Sequence, residues 1–327
     1  MFSGVSYDTL YPHYFNVAGS AINISSLLRW DPEKRRVSVS YSSPLEHNPK
    51  YRYAVDVDLR NENWAIVPSF KGPAPLLAAL NLRTQVISGG VSGFNSGRWD
   101  WSVGGEISDR QYRNVFAGST LAPPVLLTGY ELKQIARINY EILRVPEKRF
   151  LIRSGATEQI ASIWSHPSHA FEKFEGSLLA HWFPRMSGED YAIQEQVKIG
   201  KTVGQVPFDE LFMLGLERDN DLWMRAHIGT RDGRKGSAPL GRNYFLSNWE
   251  MDKNVYNNGL FEAKLTPFLD AGKITDPIAG LGAKKWLWDT GIQAKFSVLG
   301  VGFRFTYGKD LRSGNNAFYL LAQGAGN

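Results

Sequence analysis

The sequence predicts an all-β fold, and three observations support that class. Segments of about ten residues alternate between apolar and polar side chains, which is the period of a β-strand with two different faces. Most of these segments are bounded by Gly, Pro, Asn or Ser clusters, as strands are. Apolar runs fall far short of a membrane-spanning helix. At 327 residues, the chain suits either two ordinary domains or one large β-barrel.

The clearest strand runs from Tyr51 to Arg60. Its odd positions are apolar, whereas its even positions include Arg52, Asp56 and Asp58. Arg36 to Ser42 alternates in the same way, and a less regular strand lies within Tyr14–Trp30. Further strands are predicted at Asn81–Ser88, Arg98–Asp109, Tyr130–Arg144, Arg149–Trp164, Phe171–Phe183 and Ile193–Val203.

Two segments are open to a helical interpretation. Pro73–Leu82 suits either a short helix or a tight turn into the next strand. For Tyr130–Leu143 we favour a strand, because Ala136, Ile138 and Tyr140 keep period two.

The last third of the chain shows the strand pattern most clearly. Leu260–Ile274 has Leu265 and Leu269 on one face and Asp270 on the other. Even positions are then apolar from Ile292 to Val298, and odd positions are apolar from Val301 to Tyr307. A change of parity at Leu299-Gly300 predicts a tight hairpin turn there. Asn316–Gln323 is predicted to be the final short strand.

Alternation alone does not tell which face is wet. A soluble barrel buries its apolar face, whereas an outer-membrane barrel turns that face to lipid and keeps polar side chains in the lumen. Strand length, mid-strand charges of both signs and aromatic residues near strand ends favour the membrane. The aromatic residues near strand ends are Trp30, Trp64, Trp99, Trp101, Trp182, Trp286 and Trp288. On pattern alone, a large soluble β protein stays an alternative.

A cationic, glycine-rich segment from Trp223 to Arg242 interrupts the strand pattern. It holds five Arg or Lys, four Gly and a Pro, so neither a helix nor a strand interior suits it. Long loops on a rigid scaffold commonly carry function. The sequence therefore places the candidate functional residues in this loop.

Composition and motifs give no sign of an enzyme, a cofactor or a metal site. The chain has no Cys, and His166 and His169 fit turn residues better than half of a metal site. Gly233-Arg-Lys-Gly236-Ser237 lacks the order of a phosphate-binding loop. The net charge of +5 comes from interspersed charges, which argues against nucleic acid as a partner. Paired acids such as Asp209-Glu210 are interpreted as solvated loop charges.

The segment from Val206-Pro-Phe to Phe212-Met-Leu-Gly215, with Trp223-Met-Arg225 after it, resembles the barrel of the BamA/TamA family, the bacterial surface antigen superfamily. In that family these motifs lead into the sixth outer loop. Phe268-Leu-Asp-Ala-Gly272 is similar to the family's Phe-x-Asp-x-Gly strand motif. The specific matches cover the C-terminal third of the chain.

The resemblance implies a transmembrane antiparallel β-barrel of about 16 strands, with the long loop folded into the lumen. It also implies that Arg225 is held there by Asp270, next to Gly272. An arginine drawn into a lumen needs a paired acid, since an unpaired buried charge costs several kcal/mol. Two unrelated surface charges are the alternative. The lumen loop would include Gly229, Arg231, Asp232, Gly233, Gly236 and Gly241.

This chain departs from the family pattern at several positions. Ala226 stands where the motif has Gly, and His227 stands where it has an aromatic residue. The chain does not end on an aromatic residue, so Phe318 or Tyr319 would have to provide the terminal strand's apolar signal. Strand sequence begins by about Tyr14, so we expect residues 1–327 to be one barrel domain without POTRA domains, either a fragment or a naturally short member.

The resemblance implies a non-enzymatic protein of the bacterial outer membrane that inserts or translocates proteins or lipids. It would act at the seam between its first strand, within Tyr14–Trp30, and its last, Ala317–Gln323. Expected partners are outer-membrane lipids, an unfolded or secreted protein substrate, and a periplasmic partner or missing N-terminal domains. The alternative is a membrane anchor or secretion pore for a passenger domain, such as a patatin-like hydrolase. A passive porin is a third hypothesis.

Overall fold

The computed structural model of the chain describes most of its 327 residues. The described residues are 8–46, 48–68, 74–95, 97–116, 121, 125–165, 167–185, 188, 190–275, 281, 283, 285–298 and 301–323. The predicted turn at Leu299-Gly300 and Pro73 lie outside them. Among the described residues, no helix is long and apolar enough to cross a membrane.

The structure is built almost wholly from β-strands. The strands are β1 Thr9–Leu10, β2 His13–Tyr14, β3 Asn23–Asp31, β4 Lys34–Leu45, β5 Asn48–Ile66, β6 Ala78–Asn95, β7 Trp99–Arg113, β8 Gly129–Val145, β9 Phe150–Trp164, β10 His169–Trp182, β11 Tyr191–Gly204, β12 Phe212–Met213, β13 Thr230–Arg231, β14 Arg234–Lys235, β15 Leu240–Gly241, β16 Asn243–Asn257, β17 Phe261–Thr275, β18 Leu287–Val298, β19 Val301–Asp310 and β20 Asn316–Gln323. Short 3-10 turns lie at Val17–Gly19, Pro146–Lys148 and Phe208–Glu210.

The long strands form one antiparallel meander. Each strand from β3 to β11 pairs with the next, β11 pairs with β16, and the pairing continues to β20. Successive connections alternate between two ends of the sheet. We call them the loop end, where β5, β7 and β11 end, and the turn end, where β4, β6 and β18 end. Residues 130–143 belong to β8, so the strand interpretation of that segment is confirmed.

The apolar face of the sheet points outward. Val55 on β5 is 47% exposed and Phe303 on β19 is 38% exposed, whereas Asp270 and Thr266 on β17 are fully buried. The parity change between β18 and β19 is confirmed, because Ile292 and Phe303 both lie on the outer face and Val298 pairs with Val301. A wall of this kind, apolar outside and polar inside, is the pattern of a membrane barrel.

The inside of the barrel is divided into a dry part and a wet part. At the loop end, inward side chains of β6 such as Leu80 and Leu82 pack against loop residues such as Phe208. Nearer the turn end, a polar cavity of about 690 Å³ remains, lined by residues such as Asp56 and Ser88. The polar strand faces suit the wet part, and the lumen loop fills the loop end with apolar side chains.

The N-terminal edge of the sheet differs from the prediction. The first strand was expected within Tyr14–Trp30. In the structure β3 is not the edge of the sheet, because β1 and β2 pair with the side of β3 that does not face β4. Only four residue pairs join β1 and β2 to β3. In the described part of the chain, no ladder joins them to β20, and both edges run from the loop end to the turn end. Two strands of the same direction cannot extend an antiparallel ladder.

Outward and inward positions should respond differently to a charge. Val57→Lys places an ammonium on the outer face of β5, so in lipid we expect a loss of about 2–4 kcal/mol of unfolding free energy. Ser88→Lys points into the polar cavity beside Asp56 and should cost much less. Urea unfolding of the barrel in vesicles measures both, and equal losses would contradict the outward assignment.

Candidate functional site

The segment between β11 and β16, residues 205–242, lies inside the barrel and forms the candidate site. We call it the lumen loop. Phe208, Leu214 and Met224 are fully buried, and β12 pairs with β15 to make a two-stranded sheet within the loop. The apolar residues of the loop explain why it enters the barrel, since burying each large side chain contributes about 1.5–3 kcal/mol.

The tip of the lumen loop is a tight hairpin made by β13 and β14. Asp232 and Gly233 both have positive φ, 51° and 77°, which a two-residue hairpin of this type requires. An Asp-Gly pair adopts these angles at low cost, whereas other residues would be strained. The strand after the turn continues onto the barrel wall, where Lys235 pairs with Trp64 of β5.

Arg225 and Asp270 are in direct contact. The guanidinium donates from Nε to Asp270 Oδ2 at 3.0 Å and from Nη2 to Oδ1 at 2.6 Å. The backbone N–H of Arg225 donates to Oδ2 of the same carboxylate at 3.0 Å. Nη1 donates to Glu250 Oε2 at 2.6 Å, and the Phe268 ring lies 3.9 Å from Cζ. Arginine satisfies all these contacts at once, and the single ammonium of lysine could not.

Three carboxylates stand side by side on the wall beneath the loop. Asp270, Asp289 and Asp310 are register partners across β17, β18 and β19, and all three are buried. Arg225 neutralises the first. His227, two residues further along the loop, places Nδ1 3.0 Å from Asp289 and Nε2 3.7 Å from Asp310. His227 thus extends the ion pair of Arg225 along the row of acids, where the family motif has an aromatic residue.

The protonation of His227 follows from these neighbours. Burial disfavours the charged imidazolium, but the hydrogen bond to Asp289 and the charges of Asp289, Asp310 and Asp270 outweigh burial and raise its pKa above 6.5. A charged imidazolium is favoured because buried acids without a cation are costly. Ala226 also contributes, since its N–H donates to Asp289 Oδ2 at 2.6 Å. Its φ is not positive, so alanine replaces the glycine of the motif without backbone strain.

Two glycines of the wall let the lumen loop approach closely, Gly272 at loop side chains and Gly308 at the loop backbone. A Cβ added at Gly272 would lie 2.8 Å from Met224 Sδ, and one added at Gly308 would lie 3.0 Å from the Arg225 carbonyl oxygen. A side chain at Gly272 would displace Met224, and one at Gly308 would press on the Arg225 carbonyl. Gly272 therefore serves the site by its lack of a side chain, and Gly308 is a position that the sequence analysis missed.

The lumen loop is also tied to the N-terminal strands. Lys235 Nζ lies 2.8 Å from Glu62 of β5, and Lys34 of β4 lies 2.8 Å from Glu217 of the loop. Asp219 of the loop accepts from Arg29 and Arg36. Burial disfavours the charged carboxylate, but Lys235 and the hydrogen bond from Arg29 outweigh it and hold the pKa of Asp219 well below its ordinary range. The loop thus carries both signs of charge to this wall.

A third set of contacts joins the start of the loop to the middle of the sheet. Asp209 lies 2.8 Å from Arg110 Nε of β7, and Glu210 lies 2.6 Å from Lys133 Nζ of β8. Lys173 of β10 also reaches Glu210, at 3.4 Å. The interpretation of Asp209 and Glu210 as solvated charges is therefore wrong. Lys133 is buried on the inner face of β8, and the path of the loop brings Glu210 to it.

The remaining predicted residues lie apart from Arg225. Gly229 organises the base of the tip hairpin, where its carbonyl accepts from the Gly236 N–H at 3.0 Å. Arg231 and Asp232 lie at the hairpin tip, where Arg231 Nε is 3.7 Å from Asp232 Oδ2. Gly241 packs against Ile274 of β17, where a side chain would clash. Phe318 is 75% exposed on the outer face of β20, and Tyr319 points inward beside Thr306 of β19.

Comparisons with known proteins agree on the fold. CdiB from Escherichia coli has a TM-score of 0.66 at 13% sequence identity, over 96% of this chain and 58% of that chain. BamA from Haemophilus ducreyi lacking POTRA domains 1–3 has a TM-score of 0.68 at 11% identity, over 96% and 66%. CdiB from Acinetobacter baumannii has a TM-score of 0.61 at 12% identity, over 96% and 56%. No family model and no curated protein sequence matches.

These likenesses show the fold, which is the transmembrane antiparallel barrel that the sequence predicts. The chain spans 58% of the E. coli CdiB chain and 56% of the A. baumannii one. The barrel fold is therefore confirmed, while substrates and partners are a matter for proposals.

The contact of Arg225 with Asp270 predicts strong coupling between the two residues. Arg225→Ala leaves the buried Asp270 without its cation, and Asp270→Ala leaves the buried guanidinium with Glu250 alone, so each should lower the unfolding free energy by about 3–5 kcal/mol. The double variant should lose at least about 1 kcal/mol less than the sum of the two. Urea unfolding in vesicles gives the cycle, with exposed Lys148→Ala as a control that should change little. Simple additivity would contradict the pairing.

The raised pKa of His227 predicts a pH-dependent contribution to loop stability. A charged His227 stabilises the folded state fully below pH 6.5, and the contribution is lost as pH rises through the raised pKa of the folded protein. Unfolding of wild type and His227→Phe is compared from pH about 5 to about 9. The advantage of the wild type should shrink with rising pH. A difference that is constant over this range would show that the imidazolium plays no part.

Proposed function

From the barrel fold shared with BamA and CdiB, we propose that this chain is a bacterial outer-membrane barrel that inserts or translocates other proteins or lipids. The observation that carries the proposal is a lumen closed at its loop end by the ion-paired lumen loop, together with a sheet edge held by few residue pairs. A filled lumen argues against free passage of solutes. A weak edge offers a place where an incoming strand can pair. The family resemblance in the C-terminal third supports the same role.

The outer surface supports the membrane location. Apolar side chains cover the outside of every long strand, including Val57, Ile107 and Ile292. In water such a continuous apolar surface would drive aggregation, whereas in a bilayer it is the surface that hydrocarbon solvates. The partners we propose are therefore outer-membrane lipids around the wall and an unfolded protein substrate at the seam.

The direction of the edge strands supports strand capture. Because β20 and the β1–β2 edge run the same way, one strand of the opposite direction can pair antiparallel with both. The four residue pairs that hold β1 and β2 to β3 are far fewer than the sixteen between β5 and β6. Opening at this edge therefore costs less than opening between any two long strands.

Reconstitution tests the proposal directly. Vesicles that contain the barrel should speed the folding of an unfolded outer-membrane barrel protein relative to empty vesicles, measured as the heat-modifiable band on gels. A photo-crosslinking residue at Tyr14 or Phe318 should capture the substrate. The same residue at Ile107, an outward position on β7 remote from the edges, serves as the matched control.

Other outcomes separate the alternatives. Capture of a passenger chain at the cavity residues Asp56 or Ser88 would indicate a secretion pore instead. A large steady conductance in planar bilayers would indicate a porin. No acceleration and equal capture at Ile107 and Phe318 would overturn the proposal.

A further inference from the structure

Two adjoining depressions lie on the outer wall at the loop end of β16–β18. One, of about 710 Å³, is lined by Lys273, Lys285, Arg312 and Leu311. The other, of about 860 Å³, is lined mainly by apolar residues. Trp286 and Trp288 line both, so the two depressions form one continuous groove. We call it the tryptophan groove.

The part of the tryptophan groove nearest the loop end is cationic. In the part of the chain that the structure describes, no carboxylate forms an ion pair with Lys273, Lys285 or Arg312. Lys273 Nζ instead lies 5.7 Å from the Trp286 ring. The cations inside the barrel contrast with these, because Lys34, Lys133 and others are paired with acids. Three unpaired cations in one depression favour an anionic ligand.

The lower part of the groove is apolar and runs along the strands. Phe245, Trp249 and Leu269 line it together with Ala271, whose side chain is small. Its polar side chains, Glu195 and Ser247, lie 3.5 Å from each other. Such a channel accommodates a hydrocarbon chain, which gains from contact with aromatic and aliphatic side chains.

The order of the two parts identifies the kind of ligand. The cations lie at the loop end, and the apolar part extends from there toward the middle of the wall. A lipid in the leaflet nearest the loop end has its headgroup at that height and its chains pointing to the mid-plane. We propose that the tryptophan groove binds a lipid with a net anionic phosphate headgroup, which pairs with Lys273, Lys285 and Arg312 while one acyl chain occupies the apolar part. This inference rests on the membrane location within the proposed function.

The chemistry of each part is specific. Phosphate oxygens accept charge-assisted hydrogen bonds from the arginine fork and the two ammonium groups. Indole rings at the membrane interface contact both the headgroup and the upper chain. An acidic peptide would satisfy the cations but leave the apolar part empty. Free phosphate would do the same, so the whole groove is explained only by a lipid.

Native mass spectrometry of the full chain in detergent tests the proposal. The wild type should retain phosphatidic acid and release phosphatidylcholine. Lys273→Gln, Lys285→Gln and Arg312→Gln combined should weaken phosphatidic acid binding on the order of a hundredfold, since each cation near a lipid surface contributes about 1 kcal/mol. Lys201→Gln, Lys253→Gln and Arg83→Gln combined remove outward cations elsewhere and form the control.

A second variant tests the acyl chain. Ala271→Trp places a large side chain in the apolar part without a change of charge. It should weaken phosphatidic acid binding about tenfold. Three outcomes would overturn the lipid site. They are an equal loss of phosphatidic acid binding in the control triple variant, displacement of the lipid by millimolar inorganic phosphate, and unchanged binding in Ala271→Trp. Heat-modifiable migration verifies that each variant is folded. The experiment measures lipid binding and not protein insertion. A failure of the insertion assay therefore does not decide whether the lipid site exists.

Discussion

The pairing of buried carboxylates with cations from the lumen loop is the constraint on which the rest of the structure depends. Asp270, Asp289 and Asp310 occupy one row across three strands, and buried carboxylates are costly to ionise without cations beside them. Arg225 and His227 supply the compensating charge from a single short stretch of loop. The wall therefore requires the loop inside the barrel, and the loop requires the wall.

The same rule holds on the other walls of the barrel. Asp219 and Glu217 of the loop meet cations on β3 and β4, and Asp209 and Glu210 meet cations on β7, β8 and β10. Ion pairs on three sides fix a loop that has little regular secondary structure of its own. A loop fixed in this way fills the loop end of the lumen, whereas only four residue pairs join β1 and β2 to β3 at the sheet edge. The proposed function depends on this contrast between a firmly held lumen loop and a sheet edge with few pairs.

The strands could be predicted from the sequence because lipid and lumen impose opposite requirements on alternate residues. The outward side chains of β5, β17 and β19 follow the period that the sequence displays, and the hairpin between Val298 and Val301 follows from a change of parity. The pairing of Arg225 with Asp270 was expected from the family resemblance, since no local pattern connects residues 45 positions apart.

Other features have no signal in the local sequence. β1 and β2 are two residues each, too short for alternation to reveal them. The partners of Asp209, Glu217 and Asp219 depend on the path of the loop through the barrel, which the sequence does not encode as a period. The dry loop end follows from the same path, because apolar inward residues such as Leu80 are buried by packing against Phe208 of the loop.

Hydrogen exchange of the loop amides tests the central claim most directly. The N–H groups of Arg225 and Ala226 donate to the carboxylates of Asp270 and Asp289, so both amides are expected to exchange slowly in the wild type. In Asp270→Asn, exchange across Met224–His227 should rise by at least about a hundredfold while strands β7–β9 keep their protection. Equal protection of Arg225 and Ala226 in both proteins would contradict the account.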